Sequence, residues 1–363
     1  MRQKKMLNLY KIVRPALFKI DPETAHQMTI KALRSGALRP CKHAHSDILS
    51  QDIFGLSFKN PVGMAAGFDK NAEVIAPLLE LGFGFTEAGT VTPKPQGGNP
   101  RPRIFREPKS GSVINRMGFP NGGLRIFKPN IEDFLNSNNR PHGVIGINIG
   151  MNKEQSDPAS DYCHLIKELA PLADYLTVNI SSPNTPGLRN LQQKEALSEL
   201  IERMQNTLSE VCQDNAPSLL IKLAPDLTEE QQKEIAETLV HAKIDGIILS
   251  NTTLDRPDSL PKEFREQTGG LSGTYVREKS TAVIRNFYKL TDGNIPIIGV
   301  GGISTAEHAY EKIKAGASLV QLYTGMIYQG PDIANQINAG LIDLLEKDGY
   351  SSIKDAIGVS ANT

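Results

Sequence analysis

The chain has 363 residues, and its 40 Lys and Arg offset 40 Asp and Glu. A chain this long buries a large core without a disulfide or metal staple, and zero net charge excludes a protein whose whole surface grips nucleic acid. Three scattered cysteines, Cys41, Cys163 and Cys212, exclude a disulfide scaffold or cysteine-based zinc site and fit a reducing compartment, and no apolar run approaches the roughly 18 residues of a membrane span.

The charge is unevenly distributed. Residues 1–45 carry ten bases (Arg2, Lys4, Lys5, Lys11, Arg14, Lys19, Lys31, Arg34, Arg39, Lys42) and two acids, Asp21 and Glu23. The rest of the chain therefore holds the matching negative excess. The first 20 residues contain no acid and interleave cations with Leu7, Leu9, Tyr10, Ile12, Val13, Ala16, Leu17, Phe18 and Ile20. Asp21-Pro22-Glu23 reads as N-cap, first position and first-turn acid of a second helix, running to Arg34 and stopping at Ser35-Gly36. Basic and apolar residues mixed on short helices suit an anionic membrane surface. The alternative is a helical pair packed on its own domain with solvated lysines. A mitochondrial transit peptide also starts basic and acid-poor, but residues 1–20 are low in Ser and Arg. The expected organisation is an N-terminal amphipathic helical segment over 1–45 and a catalytic domain over 46–363.

Beyond residue 45 the pattern alternates between β and α. A hairpin is expected at Asp52–Phe54 and Leu56–Phe58 around Gly55. Strands follow at Val62–Ala66, Phe83–Ala88, Gly143–Ile147, Tyr175–Asn179, Leu219–Leu223, Gly246–Ser250, Pro296–Val300 and Leu319–Tyr323. Helices between them are expected at Ala72–Leu81, Leu191–Leu208, Thr228–His241 with Thr228 as N-cap, Thr281–Leu290, Thr305–Ala315 and Pro331–Lys347. Eight strands alternating with helices imply an α/β fold, a (β/α)8 TIM barrel. A doubly wound open sheet is the runner-up, but no GxGxxG turn follows the first strand. Thr92–His142 is too long for a βα loop and reads as an insertion over the barrel mouth, with β-like runs at Arg103–Phe105 and Ser112–Ile114.

Barrel chemistry sits at the C-terminal strand ends. There the chain offers Lys70, Thr90, Asn148, Asn179, Lys222, Asn251, Thr252, Gly301, Gly302, Tyr323 and Thr324, but no His and no carboxylate pair. Metal-assisted hydrolysis and two-carboxylate glycoside chemistry are disfavoured, and no metal is expected. Strand 7 ends in GVGGIST (299–305) and strand 8 in LYTG (322–325), the usual place for a barrel phosphate site; the bland alternative is tight turns. Asn115, Asn148, Asn179, Asn184 and Asn251 form an amide-rich layer. Planar amides suit a flat ligand edged with N–H and C=O groups, such as a pyrimidine or an isoalloxazine, although a single strand-end Asn is usually a cap. Lys222 follows apolar Leu219–Ile221, and a buried lysine needs an anionic partner unless it acts as a Schiff-base amine. The loop NISSPNTPGLR (179–189) places Ser181 and Ser182 at the mouth, as positioned hydroxyls or as turn caps.

Taken together, AAGFDKN (65–71), EAGTVTPKPQGGNPRPRIFR (87–106), NRMGF (115–119), NISSPNTPGLR, KLAPD (222–226), SNTT (250–253), GGLSG (269–273), GVGGI (299–303) and LVQLYTG (319–325) resemble the dihydroorotate dehydrogenases, specifically the class 2, quinone-linked branch. DPETAH (21–26) after a basic amphipathic start resembles class 2 as well. The resemblance implies FMN as cofactor, (S)-dihydroorotate as substrate and ubiquinone or menaquinone as acceptor, in pyrimidine biosynthesis. Carried over by motif, FMN contacts fall on Ala66, Gly67, Lys70, Thr90, Asn148, Asn179, Lys222, Ser250, Gly273, Gly302, Tyr323 and Thr324. Substrate contacts fall on Lys70, Asn115, Arg116, Met117, Gly118, Phe119, Asn179, Asn184, Asn251 and Thr252. Ser182 matches the family's catalytic base, where class 1 enzymes carry Cys. His26 and Arg106 match residues near the quinone head, although His26 reads equally as a satisfied helix residue. The expected location is peripheral, on the cytoplasmic side of a bacterial inner membrane, with the mitochondrial inner membrane as the alternative.

The chemistry of the residues agrees with this. Forming a C=C bond beside a carbonyl removes a proton and a hydride, and a flavin accepts only the hydride. Ser182 would take the proton and pass it on, through Thr185 and water. Lys222 would stabilise negative charge on the reduced ring. The rival readings are a phosphate-binding Schiff-base lyase using Lys222, a membrane-surface binding protein, and a flavin barrel acting on another dihydropyrimidine. NRMGF and the serine of NISSPNTPG disfavour the last.

Overall fold

The computed structural model describes residues 9–38, 46–213 and 215–361. Arg2, Lys4, Lys5, Leu7, Arg39, Cys41 and Lys42, named above, lie outside the described residues, as does the expected boundary at residue 45.

The strands in chain order are β1 (Gln51–Ile53), β2 (Leu56–Phe58), β3 (Val62–Met64), β4 (Phe85–Val91), β5 (Ile104–Glu107), β6 (Ser112–Asn115), β7 (Val144–Ile149), β8 (Tyr175–Asn179), β9 (Ser218–Leu223), β10 (Gly246–Leu249), β11 (Gly270–Gly273), β12 (Ile297–Val300) and β13 (Ala317–Leu322). Eight of them, β3, β4, β7, β8, β9, β10, β12 and β13, close into a parallel barrel. They are the eight strands expected from the alternating pattern. Their bounds differ mainly at β4, which runs on past Ala88 to Val91. Near-continuous apolar runs suit strands buried on both faces.

The β1–β2 hairpin pairs antiparallel with Ile53 opposite Leu56. Phe58 meets Phe85 edge-on at 5.3 Å. With Tyr175, Leu220, Ile248, Ile298 and Leu319 these residues fill the lower barrel interior. That plug leaves only the other end free for chemistry. A larger apolar core lies between the strands and the surrounding helices.

Most expected helices form. Thr228 caps Glu229–His241 through a reciprocal capping box with Gln231. The helix expected from Ala72 starts only at Ile75, because the Asp69 carboxylate takes the N–H groups of Glu73 and Val74 and Ala72 adopts φ 61°. The run from Leu191 begins as a tight turn over Leu188–Gln192 before the helix Lys194–Val211. A helix at Pro158–Leu169 fills the place the alternation requires between β7 and β8, and a helix at Leu124–Leu135, inside the insertion, was not singled out. Within the Thr92–His142 insertion, β5 and β6 pair antiparallel, and β11 joins them from the far side of the mouth.

Helix α1 (Leu9–Leu17) and helix α2 (Pro22–Arg34) form as the capping signals require, with Asp21 accepting from Thr24 N. Both are anchored to the barrel domain. Tyr10 donates to Ile327 O at 2.6 Å and Arg14 to Tyr328 O at 2.7 Å. Arg106 donates to the carbonyls of Leu17, Phe18 and Ile20, satisfying the end of α1. On α2, Glu23 pairs with Arg103 and with Arg101 at 2.9 Å.

That pair makes a prediction. The hydrogen bond from Arg103 outweighs burial and holds the Glu23 carboxyl below its ordinary range. A folded-state pKa below the unfolded one stabilises fully above the unfolded value and loses that stability as pH falls through the lowered value. Glu23→Gln leaves Arg103 buried without its anion and is expected to cost about 3 kcal/mol at pH 7. Thermal melting should show the gap between the two proteins closing below about pH 4.

Candidate active site

The upper end of the barrel opens into a cleft of about 1240 Å³. One end is built from glycine. Gly301 and Gly302 have φ of 119° and 73°, and a Cβ on Gly302 would lie 2.4 Å from the Arg277 Cβ. Gly273, at φ 91°, would meet Gly111 O at 2.3 Å. A side chain at either position would collide with the protein's own chain, so the turns here require glycine. Thr324 shares a 2.9 Å hydrogen bond with Ser272 beside it.

The middle of the cleft carries two lysines. Ala66, Gly67, Lys70, Thr90, Asn179, Lys222, Ser250 and Tyr323 line it. Lys70 donates to Gly67 O at 2.6 Å, and burial, opposed by Glu23 and Asp69, brings its pKa down to about 8. Lys222 is buried and makes no hydrogen bond among the described residues; burial lowers its pKa against the pull of Glu87. An unpaired buried ammonium facing a cleft marks a place for ligand negative charge.

At the other end Asn115, Met117, Gly118, Phe119, Ser182, Asn184, Asn251 and Thr252 converge. Asn184 donates to Asn115 Oδ1 at 3.3 Å, and Ser182 Oγ accepts from Asn184 N at 3.2 Å. Arg189 holds this loop, donating to Ser181 O at 2.9 Å, Thr252 O at 3.0 Å and Asp226 at 2.9 Å.

Two expected contacts sit elsewhere. Asn148 is fully buried one layer beneath the cleft, where it bonds Thr90, Asn179 and Glu87. The Arg116 side chain turns away. Its guanidinium lies 4.6 Å over the Phe105 ring and donates to Gln267 and Thr268, so it braces β6 rather than facing the cleft. Glu87 and Arg189 were not singled out from the sequence, which offered Ser181 as a mouth hydroxyl or a turn cap. The signal for Glu87 was a lone acid inside an apolar strand, which implies a partnered buried charge.

A second, apolar cavity of about 1170 Å³ lies between α1, α2 and the barrel. Val13, Leu17, Phe18, Ala25, His26, Met28, Phe68, Arg106 and Met326 line it. Ile104, Tyr323 and Ile327 border both cavities, so one layer of side chains separates them. His26 packs edge-on against Phe68 at 5.3 Å. Burial, aided by the nearby Lys70 charge, pushes its pKa down to about 3, leaving it neutral at pH 7. Arg106 covers the Phe18 ring at 4.7 Å. No helix among the described residues is long and apolar enough to cross a membrane.

The fold and its two cavities define a (β/α)8-barrel enzyme, with a polar reaction cleft at the strand ends and an apolar chamber behind it. The sequence profile of the dihydroorotate dehydrogenase family matches residues 48–345. The dihydroorotate dehydrogenase (quinone) of Rhodospirillum rubrum is 47% identical over 97% of this chain and 95% of its own length. The mouse mitochondrial dihydroorotate dehydrogenase (quinone) is 45% identical over 95% of this chain and 88% of its own. The crystal structure of the Eimeria tenella dihydroorotate dehydrogenase with ferulenol superposes with a TM-score of 0.90 at 41% identity, covering 95% of this chain and 98% of that one. The chain belongs to the dihydroorotate dehydrogenase family, in its quinone-dependent class.

Proposed function

We propose that this chain oxidises (S)-dihydroorotate to orotate in pyrimidine biosynthesis, with FMN as first acceptor and a membrane quinone, ubiquinone or menaquinone, as the last. The observation that carries the reading is the pair of cavities separated by one wall, one polar and glycine-cradled, the other apolar. FMN supplies a ring that accepts a hydride and releases electrons one or two at a time. The residues fit it: a glycine cradle without room for Cβ suits its phosphate, and the unpaired Lys222 suits the ring's negative edge.

Under this reading Gly273, Gly302 and Thr324 hold the phosphate, while Ala66, Gly67, Lys70, Thr90, Asn179, Lys222, Ser250 and Tyr323 hold the ring. Asn148 acts from below through Thr90 and Asn179. Lys70, Asn115, Asn179, Asn184, Asn251 and Thr252 grip the dihydropyrimidine, with the Met117–Phe119 backbone closing over it. Ser182 takes the proton. His26 and Arg106 stand beside the quinone head in the apolar chamber. The segment 1–45 serves as the docking unit. Exposed Ile12, Val13 and Met28 at its surface, together with its cations, support peripheral attachment to a membrane, in this reading the cytoplasmic side of a bacterial inner membrane, with the mitochondrial inner membrane as the alternative.

The test is the absorbance of the purified protein. A yellow protein whose flavin bands bleach on adding dihydroorotate, and return on adding quinone, is the expected result. A colourless protein trapped by borohydride with a carbonyl substrate would instead favour a Schiff-base role for Lys222.

A further inference from the structure

A lysine that the reaction does not use lies behind the glycine end of the cleft. Lys312, on the helix Ala306–Lys314, is fully buried. Its side chain lies against Gly299 of β12 and reaches the first turn of the helix Arg277–Leu290. Its Nζ donates to Ser280 Oγ at 2.8 Å, to Thr281 Oγ1 at 3.0 Å and to Arg277 O at 3.4 Å. All three acceptors are neutral, and Lys312 makes no ion pair among the described residues. Burial brings its pKa down to about 7, while Glu311 and Arg277 act on it in opposite senses. Those two lie 3.8 Å apart.

The surrounding groups do not need this ammonium. Ser280 Oγ donates its own proton to Val300 O, and Thr281 Oγ1 donates to Arg277 O at 2.9 Å, so both hydroxyls are satisfied without it. A buried cation with no anion is unfavourable, and an apolar side chain of similar shape in its place is often neutral or stabilising. The charge that Lys312 can answer comes from outside the chain.

Its position names that charge. A Cβ on Gly301 would lie 3.2 Å from Ser280 Oγ, so two short contacts span the way from the ammonium to the Gly301–Gly302 turn at the cleft. The Ser280 hydrogen bond ends on Val300 O, in the same peptide unit as the Gly301 N–H. No cation lines this end of the cleft; Lys70 and Lys222 stand in its middle. The guanidinium of Arg277, whose backbone meets Gly302, is engaged by His308, Glu278 and Glu311.

We propose that Lys312 is a positioning residue for the anionic end of the cofactor: an ammonium one side chain behind the Gly301–Gly302 turn, left unneutralised by the fold so that a phosphate dianion meets its charge. The inference rests on the functional reading above, which puts the FMN phosphate on Gly273, Gly302 and Thr324. Those residues offer only neutral donors, and Lys312 adds the missing positive charge from a place that touches neither flavin nor substrate. A nearby phosphate in turn favours the charged form of the lysine.

The test measures flavin affinity on the full chain, stripped of flavin and refilled, by flavin fluorescence. FMN is compared with riboflavin, which has the same ring and no phosphate. Lys312→Met fills nearly the same space without a polar end. Lys312→Gln keeps a donor for Ser280 and Thr281 but carries no charge. Both variants are expected to bind FMN about tenfold or more weakly, and riboflavin within about twofold of wild type, as befits a charge acting across one side chain in a protein interior. Flavin-free Lys312→Met is expected to melt no lower than flavin-free wild type, the reverse of what a structural lysine gives. An FMN-to-riboflavin affinity ratio equal to that of the wild type, in either folded variant, overturns the proposal. So does an equal loss of both flavins, which marks a general distortion of the cleft. If Lys312→Met does not fold, Lys312→Gln decides alone. Failure of both to fold also overturns it, since the fold would then need the ammonium. A wild-type protein that binds riboflavin as tightly as FMN would instead count against the phosphate placement of the functional reading itself.

Discussion

Replacing Ser182 by alanine is expected to slow flavin reduction by dihydroorotate by about 10²–10⁴-fold, the usual worth of a positioned general base, while the flavin stays bound and its reoxidation by quinone is unchanged. The hydroxyl lies in the cleft, 5% exposed, on the loop between β8 and the Leu188–Gln192 turn. Its position is fixed from two sides: Asn184 N donates to its Oγ, and Arg189 ties neighbouring Ser181 to Thr252 across the mouth. Among the described residues no His, Asp or Glu hydrogen-bonds to it. Serine is a weak base alone, so in this role it would hand its own proton on as it receives the substrate's. Thr185, buried on the same loop, is the expected next carrier. The reductive rate should therefore rise with pH as the outer proton acceptor becomes available. Stopped-flow bleaching of the flavin measures this half-reaction separately. A Ser182→Ala protein that bleaches at nearly the wild-type rate would remove Ser182 from the base role.

The barrel was legible because its strands are short apolar runs buried on both faces and its helices carry strong start signals, as at Asp21-Pro22 and at Thr228 with Gln231. The cleft was legible because strand-end residues of a closed barrel must converge. What escaped depended on contacts distant in sequence. Glu87 was missed because a single acid near the expected end of a strand, at Ala88, shows none of its partners. The strand runs to Val91, so Glu87 lies in its buried interior and needs donors from β7, β8 and β13. Strand β11 is a four-residue Gly-Leu-Ser-Gly run that reads as a turn; only pairing with β6 makes it extended. Arg116 sits inside a motif whose other residues face the cleft, but alternation along the chain and the Phe105 ring turn it outward. Pro129 hid the Leu124–Leu135 helix, which tolerates it six positions in.

Removing residues 1–40 is expected to cut quinone turnover by at least about 100-fold, and to abolish binding to anionic liposomes, while dihydroorotate still bleaches the flavin. Those residues supply Val13, Leu17, Phe18, Ala25, His26 and Met28 of the apolar chamber. A factor of 100 is under about 3 kcal/mol, no more than the burial of one or two large apolar side chains, so losing a whole wall of the chamber suffices. The polar cleft keeps its lining, because none of it comes from α1 or α2. The two half-reactions should therefore separate: reduction persists, reoxidation by quinone fails, and a small water-soluble dye that needs no apolar chamber still turns over. The truncation also strips Arg103 of Glu23, and a colourless product would report that loss of stability. Ala25→Phe in the full chain then puts the same question, since it narrows the chamber from α2 and keeps the ion pair. Normal quinone turnover in either folded variant would place the quinone elsewhere on the molecule.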